Sequence, residues 1–237
     1  CSDTFQVDRR QSDLTAKFDT KSLFDLSHTI AAPLFSGADM PWEVLPRISE
    51  FILSIGPTLD DEIFEQRGEN IWVARSAKVA PTAFLGGPLT IDEGAEIRHC
   101  AFIRGSAVIG KGAVVGNSTE VKNAVLFDKA QVPHYNYIGD SVLGFAAHMG
   151  AGAITSNLKS DKSLVTVACD GERIATGLKK FGAVLGDSAD VGCNSVLCPR
   201  SAIAGRSRIY PLSFVRGFIP ADSIYKKKGD IVAIERD

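Results

Sequence analysis

The chain has 237 residues, 45% of them hydrophobic, with 26 basic and 28 acidic side chains and a formal charge of −2. That length allows one substantial core and a small appendage, and the charge balance excludes a domain-wide basic field, so no nucleic-acid partner is expected. No apolar run is long enough to cross a bilayer, no basic-then-apolar leader is present, and the five cysteines (Cys1, Cys100, Cys169, Cys193, Cys198) form no paired framework. A cytoplasmic chain without a membrane partner is expected, one whose short natural N-terminus is missing because it begins at Cys1 without an initiator methionine.

Residues 1–70 differ in texture from the rest and predict a partly helical segment. Trp42, Leu45, Ile48, Ile52 and Ile55 recur at helical spacing, Pro46 falls in the first turns where proline is tolerated, and Gly56-Pro57 supplies a stop. A helix covering one end or side of a larger β structure is the expected role, since coiled β architectures need their ends protected. No Gly-rich phosphate loop follows a strand here, so no nucleotide-binding domain is expected.

From Val73 onward an aliphatic or apolar residue returns every six positions: Val73, Val79, Leu85, Ile91, Ile97, Ile103, Ile109, Val115, Val121, Phe127 and Pro133. The residue four places after each is usually small, as at Ala77, Ala83, Ala95, Ala101, Ala107 and Ala113. After an irregular stretch the period restarts with Leu185, Val191, Leu197, Ile203, Ile209 and Val215, whose small partners include Ala189, Ser195, Ser201, Ser207 and Ser213. Neither an α-helix nor an up-and-down sheet yields this period. It predicts a mainly β fold, a left-handed parallel β-helix of hexapeptide repeats over 71–216, with an inserted loop at about 159–181 and a C-terminal tail over 217–237. Three hexads close one triangular coil, the aliphatic residues point inward, and coils stack about 4.8 Å apart, so residues eighteen apart lie above one another.

Arg104 and Lys122 are eighteen apart and hold the same place in their hexads. Two cations about 5 Å apart repel by about 1 kcal/mol in water, and more if partly desolvated, so a bridging anion such as phosphate would relieve them; two solvated side chains that splay apart is the other reading.

The segments Glu120-Val121-Lys122-Asn123-Ala124, Val132 to Asp140 (with His134-Tyr135-Asn136-Tyr137-Ile138-Gly139-Asp140) and Met149 to Asn157 (with Gly150-Ala151-Gly152) resemble the C-terminal acetyltransferase domain of the bifunctional glucosamine-1-phosphate acetyltransferase and uridyltransferase family. The likeness runs from about Ile103 to Val215, and residues 1–70 share nothing with that family's uridyltransferase domain. It implies a homotrimer with parallel axes that transfers an acetyl group from acetyl-CoA to the amino group of a sugar phosphate or nucleotide-linked sugar, with no metal. In that reading His134 is the general base, a role suited to an imidazole at physiological pH. Arg104, Lys122 and Tyr137 hold the phosphate, and Glu120 and Asn157 contact the sugar.

Departures from the family pattern bear on the sugar and coenzyme ends. His148 stands where the family has a sugar-contacting asparagine, Leu158 where it has a tyrosine, and Cys193 where it has a serine near the coenzyme; the 159–181 insertion is longer than usual and carries Lys159, Lys162, Lys179 and Lys180, an arm over a neighbour's cleft or a solvated loop. Arg206, Arg208, Arg216 and the Lys226 to Lys228 run are available for coenzyme phosphates. Two rival readings stand beside this one. A non-catalytic trimer would bind a sugar nucleotide or act as a scaffold. A metal site would use His99, His134 and His148, a pattern loosely like the trimeric β-helix carbonic anhydrases, although their closely spaced second histidine pair is missing.

Overall fold

A computed structural model describes residues 18–169, 172–227 and 229–234. From Ile71 onward the chain winds as a parallel β-helix of three-sided coils. The first face is built from Ile71–Ala74, Leu89–Ile91, Ala107–Ile109, the second halves of Glu120–Leu126 and Tyr137–Leu143, then Ala183–Leu185, Ser201–Ile203 and Phe218–Ile219, one strand for each of eight coils. The second face runs from Lys78–Val79 to Ser223–Lys227 and the third from Phe84–Leu85 to Phe214–Val215. The coil continues through Phe218–Ile219 and Ser223–Lys227, past the expected end at 216, while Lys228 lies outside the described residues. Antiparallel strands close both ends, Phe64–Gly68 against Ile71–Ala74 and Asp230–Ala233 against Ser223–Lys227, and so protect open sheet edges.

The repeat maps onto this geometry with one correction. Ile91, Ile97, Ile103, Ile109, Val115 and Val121 are buried along the axis, but the next inward residues are Leu126 and Val132, not Phe127 and Pro133. The frame slips by one between Val121 and Leu126 and again between Ile138 and Leu143, so coils three and four contain seventeen residues: Val121 pairs with Ile138 and Ile109 with Leu126. Phe127 turns outward instead and packs against Phe24 and Phe35, with ring centroids 4.9 and 5.6 Å away.

The N-terminal segment covers the outside of the first face. Pro41–Arg47 forms a 3-10 turn that leads into the helix Ile48–Ile55, and Trp42, Leu45, Ile48 and Ile52 are buried. They meet an outward column of the first face in register, Trp72, Thr90, Val108, Val125, Val142, Val184, Ala202 and Phe218, in which all but Thr90 and Phe218 are apolar and buried and Phe218 packs against the cluster. This face is apolar on both sides because it is covered on both sides. Gly56 is required at the end of the helix: a Cβ there would lie 2.4 Å from the Trp72 ring. The 159–181 insertion carries an antiparallel hairpin, Thr166–Cys169 with Glu172–Ala175, and anchors on its own chain through buried Val165, Val167 and Phe181, the last 5.6 Å from Trp42.

Candidate active site

Polar side chains collect where the third face meets the first. In coils three and four the strand does not stop at this corner but runs through it, giving the seven-residue strands Glu120–Leu126 and Tyr137–Leu143. Each turns on one residue in the left-handed region, Asn123 and Asp140, both with φ 48°. Asn and Asp tolerate that conformation better than most L residues because their short polar side chains bond locally. With seventeen residues to the coil, Asp140 rises directly above Asn123, whose Nδ2 donates to Asp140 Oδ1 at 2.9 Å.

The carboxylate of Asp140, a buried residue, is the hub of the cluster. Besides Asn123 it accepts from Asn157 Nδ2 at 2.5 Å and faces Lys122 Nζ at 3.3 and 3.4 Å. Asn157 Nδ2 also donates to the Tyr137 hydroxyl at 3.2 Å. Between these groups stands Gly139, where a Cβ would lie 2.6 Å from Tyr137 Oη and 2.8 Å from Asn157 Nδ2. Burial, aided by the Glu120 and Asp140 charges, pushes the Tyr137 phenol above its usual range, so it stays a neutral hydroxyl donor. One rung below, Arg104 Nη1 bonds Glu120 Oε1 at 2.9 Å, a contact that holds the guanidinium firmly charged.

Arg104 and Lys122 stand on consecutive rungs, since Phe102 pairs with Glu120 and Ile103 with Val121. Their mutual repulsion is answered by a carboxylate for each, Glu120 for Arg104 and Asp140 for Lys122. The structure thus brings together Arg104, Glu120, Lys122, Tyr137 and Asn157. Asp140 is the residue that sequence spacing misses, because the eighteen-residue rule places it over Lys122 and the shortened coil places it over Asn123.

His134 lies around the neighbouring corner. It ends the second-face strand Gln131–His134, is exposed, and donates its backbone N–H to Asn136 Oδ1 at 3.1 Å; among the described residues its ring takes no hydrogen bond. Tyr135, with φ 52°, turns the corner between His134 and Tyr137. His148 is also on the second face, one rung above Gln131, with Nδ1 2.8 Å from Asp190 Oδ1. That bond holds the Asp190 carboxyl below its usual range. Within one chain His148 does not join the Asp140 cluster.

The expected coenzyme residues are dispersed. Cys193 is exposed at the corner that carries His134, two coils higher, and Arg208 stands on the second face above Asp190. Arg206 is at the corner of the first and second faces, bonded to Asp222 at 2.8 and 2.7 Å, and Arg216 directly follows the third-face strand Phe214–Val215. The four do not form a single wall in one chain, because a period of six sends successive side chains to successive faces. His99 and His134 are separated by the Asn117 rung, Asn117 pairing with His134 and donating to the His99 carbonyl at 3.1 Å, while the His99 ring bonds Thr82 at 2.9 Å. Among the described residues no group of three or more His, Cys, Asp or Glu side chains is arranged to hold a metal ion.

Three-sided hexapeptide coils and the His-x-x-Tyr-x-Gly-Asp turn make this a hexapeptide-repeat β-helix protein. The family described as GMPPB C-terminal domain matches residues 85–198. The chain is 35% identical over 109 residues, 46% of its length, to a bifunctional sugar-1-phosphate nucleotidylyltransferase/acetyltransferase of Sulfurisphaera tokodaii, of which it covers 27%. It is 31% identical over 120 residues, 51% of its length, to bifunctional protein GlmU of Methanococcus vannielii, of which it covers 29%. The chain therefore spans less than a third of the length of these curated relatives. Among solved structures, a mutant of perosamine N-acetyltransferase from Caulobacter crescentus, in complex with CoA and GDP-perosamine, aligns at 14% identity with a TM-score of 0.31, over 65% of this chain and 51% of that one. The curated relatives agree with the resemblance carried by the His134 to Asp140 and Met149 to Asn157 segments.

Proposed function

We propose that the chain is an acetyl-CoA-dependent N-acetyltransferase whose acceptor is the amino group of a phosphate-bearing or nucleotide-linked sugar. The observation that carries this reading is the Asp140 cluster, in which Lys122 and Asn157 converge on one buried carboxylate and Asn157 also donates to the Tyr137 hydroxyl, in a chain similar over 109 residues to a protein named a bifunctional sugar-1-phosphate nucleotidylyltransferase/acetyltransferase. Arg104 and Lys122 attract the phosphate, the neutral Tyr137 hydroxyl donates to it, and Glu120 and Asn157 orient sugar hydroxyls. His134 takes the proton as the acceptor nitrogen attacks the thioester carbonyl; the C–N bond forms, the C–S bond breaks, and the proton passes to the departing thiolate. His148 contacts the sugar, and Cys193, on the His134 corner, lines the coenzyme.

His134 and His148 face out from the second side of the prism, and the Asp140 cluster from the third. A site containing both sets requires the second face of one copy beside the third face of another, which a homotrimer supplies. The exposed apolar side chains Phe84, Phe102, Leu212 and Phe214 on the third face and its corner support such a contact. The test is free-thiol release from acetyl-CoA against a panel of amino-sugar phosphates and nucleotide-linked amino sugars, with wild type and His134→Ala side by side. Turnover lost in the variant supports the reading; silence across the panel, together with no binding of acetyl-CoA, overturns it in favour of a non-catalytic sugar-nucleotide binder.

A further inference from the structure

The upper end of the third face carries a second pair of cations, Arg200 and Arg216, and among the described residues these differ from Arg104 and Lys122 in having no carboxylate partner. Arg200 turns the corner after Val196–Leu197 with φ 75°, and Arg216 occupies the rung above Cys198, since Val196 pairs with Phe214 and Leu197 with Val215. With Lys159 they line a cleft of about 460 Å³ whose apolar walls include Leu158 and Phe214. Arg200 is half-buried and its Nη1 donates to the Thr166 carbonyl at 2.7 Å, a bond that positions the guanidinium without neutralising it. Among the described residues neither Arg200 nor Arg216 is paired with a carboxylate. Asp161 lines the same cleft, but it is engaged by Lys159 at 3.4 Å and by Ser163 at 3.0 and 2.9 Å. Desolvation, with Arg216 and then Arg173 as neighbouring charges, pushes the Arg200 pKa down, the mark of a cation among cations.

Like charges held together in a partly desolvated cleft are costly until an anion joins them. Guanidinium groups present planar pairs of N–H donors that match phosphate oxygens, and Ser156 and Ser160 add hydroxyls to the same cleft. The cleft is distinct from the Asp140 cluster yet continuous with it along the ladder Lys122, Gly139, Ser156, Cys198, Arg216, four rungs or about 19 Å.

We propose that the Arg200 and Arg216 cleft is an anion site that takes a phosphate group of a phosphorylated ligand, separate from the Arg104 and Lys122 rungs. The ligand's phosphate ester comes from the sugar acceptor or from the coenzyme; only this choice of source rests on the proposed activity, and anion binding itself does not.

The experiment is calorimetric titration of the purified chain at low salt with inorganic pyrophosphate, acetyl-CoA and a nucleoside diphosphate sugar, comparing wild type with Arg216→Gln and Arg200→Gln. Arg216 has no intramolecular partner among the described residues, so its variant retains the wild-type melting temperature, whereas Arg200→Gln also tests the hairpin contact. The expected result is a loss of pyrophosphate affinity of about tenfold in Arg216→Gln. A parallel loss for the nucleotide sugar, with acetyl-CoA unchanged, assigns the phosphate to the acceptor; the reverse assigns it to the coenzyme. Equal pyrophosphate binding by wild type and both variants, or no binding by wild type, overturns the proposal. Titration reads binding without turnover, so a failed acetyl-transfer assay beside intact phosphate binding removes the activity and leaves the site.

Discussion

Lys122 Nζ lies 3.3 Å from Asp140 Oδ2, and the two side chains are only 26% and 7% exposed, so this ion pair is largely withdrawn from water. The carboxylate's remaining capacity is taken by the amides of Asn123 and Asn157. A buried pair adds little net stability over apolar packing, but removing one partner leaves the other charged, desolvated and alone. Asp140 therefore ties a corner of the backbone to the side chains of the proposed phosphate site.

Replacing Asp140 by Ala is expected to cost about 3 kcal/mol, since it strands Lys122 and two amides at once. Urea denaturation measures the loss, and a double-mutant cycle with Lys122→Ala isolates the pair. A coupling energy indistinguishable from zero would show that Lys122 is held by other groups.

Lys122→Ala, with the charge removed from the proposed phosphate grip, is expected to raise the KM of the acceptor about tenfold and to leave that of acetyl-CoA near wild type. The opposite pattern in steady-state kinetics would move Lys122 to the coenzyme.

His134→Ala is expected to lower kcat by about two to four orders of magnitude while leaving the melting temperature unchanged, because the exposed ring makes no hydrogen bond among the described residues. His148 is held by Asp190, and His148→Ala, a loss of sugar contact, is expected to act chiefly on the acceptor KM. If the kcat collapse appeared in His148→Ala and not in His134→Ala, the base would be the Asp190-oriented imidazole.

The coil was legible in sequence from Leu185 to Val215 and, before the irregular stretch, as far as Val121, because each of those turns has eighteen residues and the hexad keeps its frame. Beyond Val121, the frame depends on a corner taken in one residue instead of two, a backbone event whose only local cue is Asn123 and, seventeen residues on, Asp140. Phe127 fits the six-residue period and still leaves the axis, because the aromatic pocket of Phe24 and Phe35 lies outside the first face. The covering of that face does have a sequence signal: Ala107-Val108-Ile109, Ala124-Val125-Leu126 and Ala183-Val184-Leu185 are apolar at the outward middle position as well as at the inward ones. By contrast, the His148–Asp190 contact joins residues 42 apart across the insertion, a distance that no repeat count supplies.

Thr90 stands in that outward column between Trp72 and Val108, fully buried, and its hydroxyl has no hydrogen-bond partner among the described residues. Val is close to Thr in shape and replaces a desolvated hydroxyl with a methyl group. Thr90→Val is expected to stabilise the chain by about 1 kcal/mol, read as a higher urea midpoint at unchanged slope. A destabilised variant would mean that the hydroxyl is bonded after all.

Asp92, at the corner of the first and second faces, gives the last expectation a sign. It is 7% exposed, and burial pushes its carboxyl above the usual range, opposed by the Glu93 backbone N–H and reinforced by the Asp128 charge. A carboxyl whose folded pKa lies above its unfolded value of about 3.9 binds its proton more tightly in the folded state. Its contribution to stability is therefore fully present below the unfolded value and is lost as pH rises through the folded one. At neutral pH the folded chain holds a desolvated negative charge there, close to a second carboxylate that burial also pushes up, Asp128. Asp92→Asn keeps a side-chain acceptor for the Glu93 N–H and removes the charge. The variant is expected to exceed wild type in urea midpoint at neutral pH, with the difference shrinking as pH falls through the carboxylate range; a gap that widened on acidification would mean that the Asp92 carboxylate is stabilised by its neighbours more than it is penalised by burial.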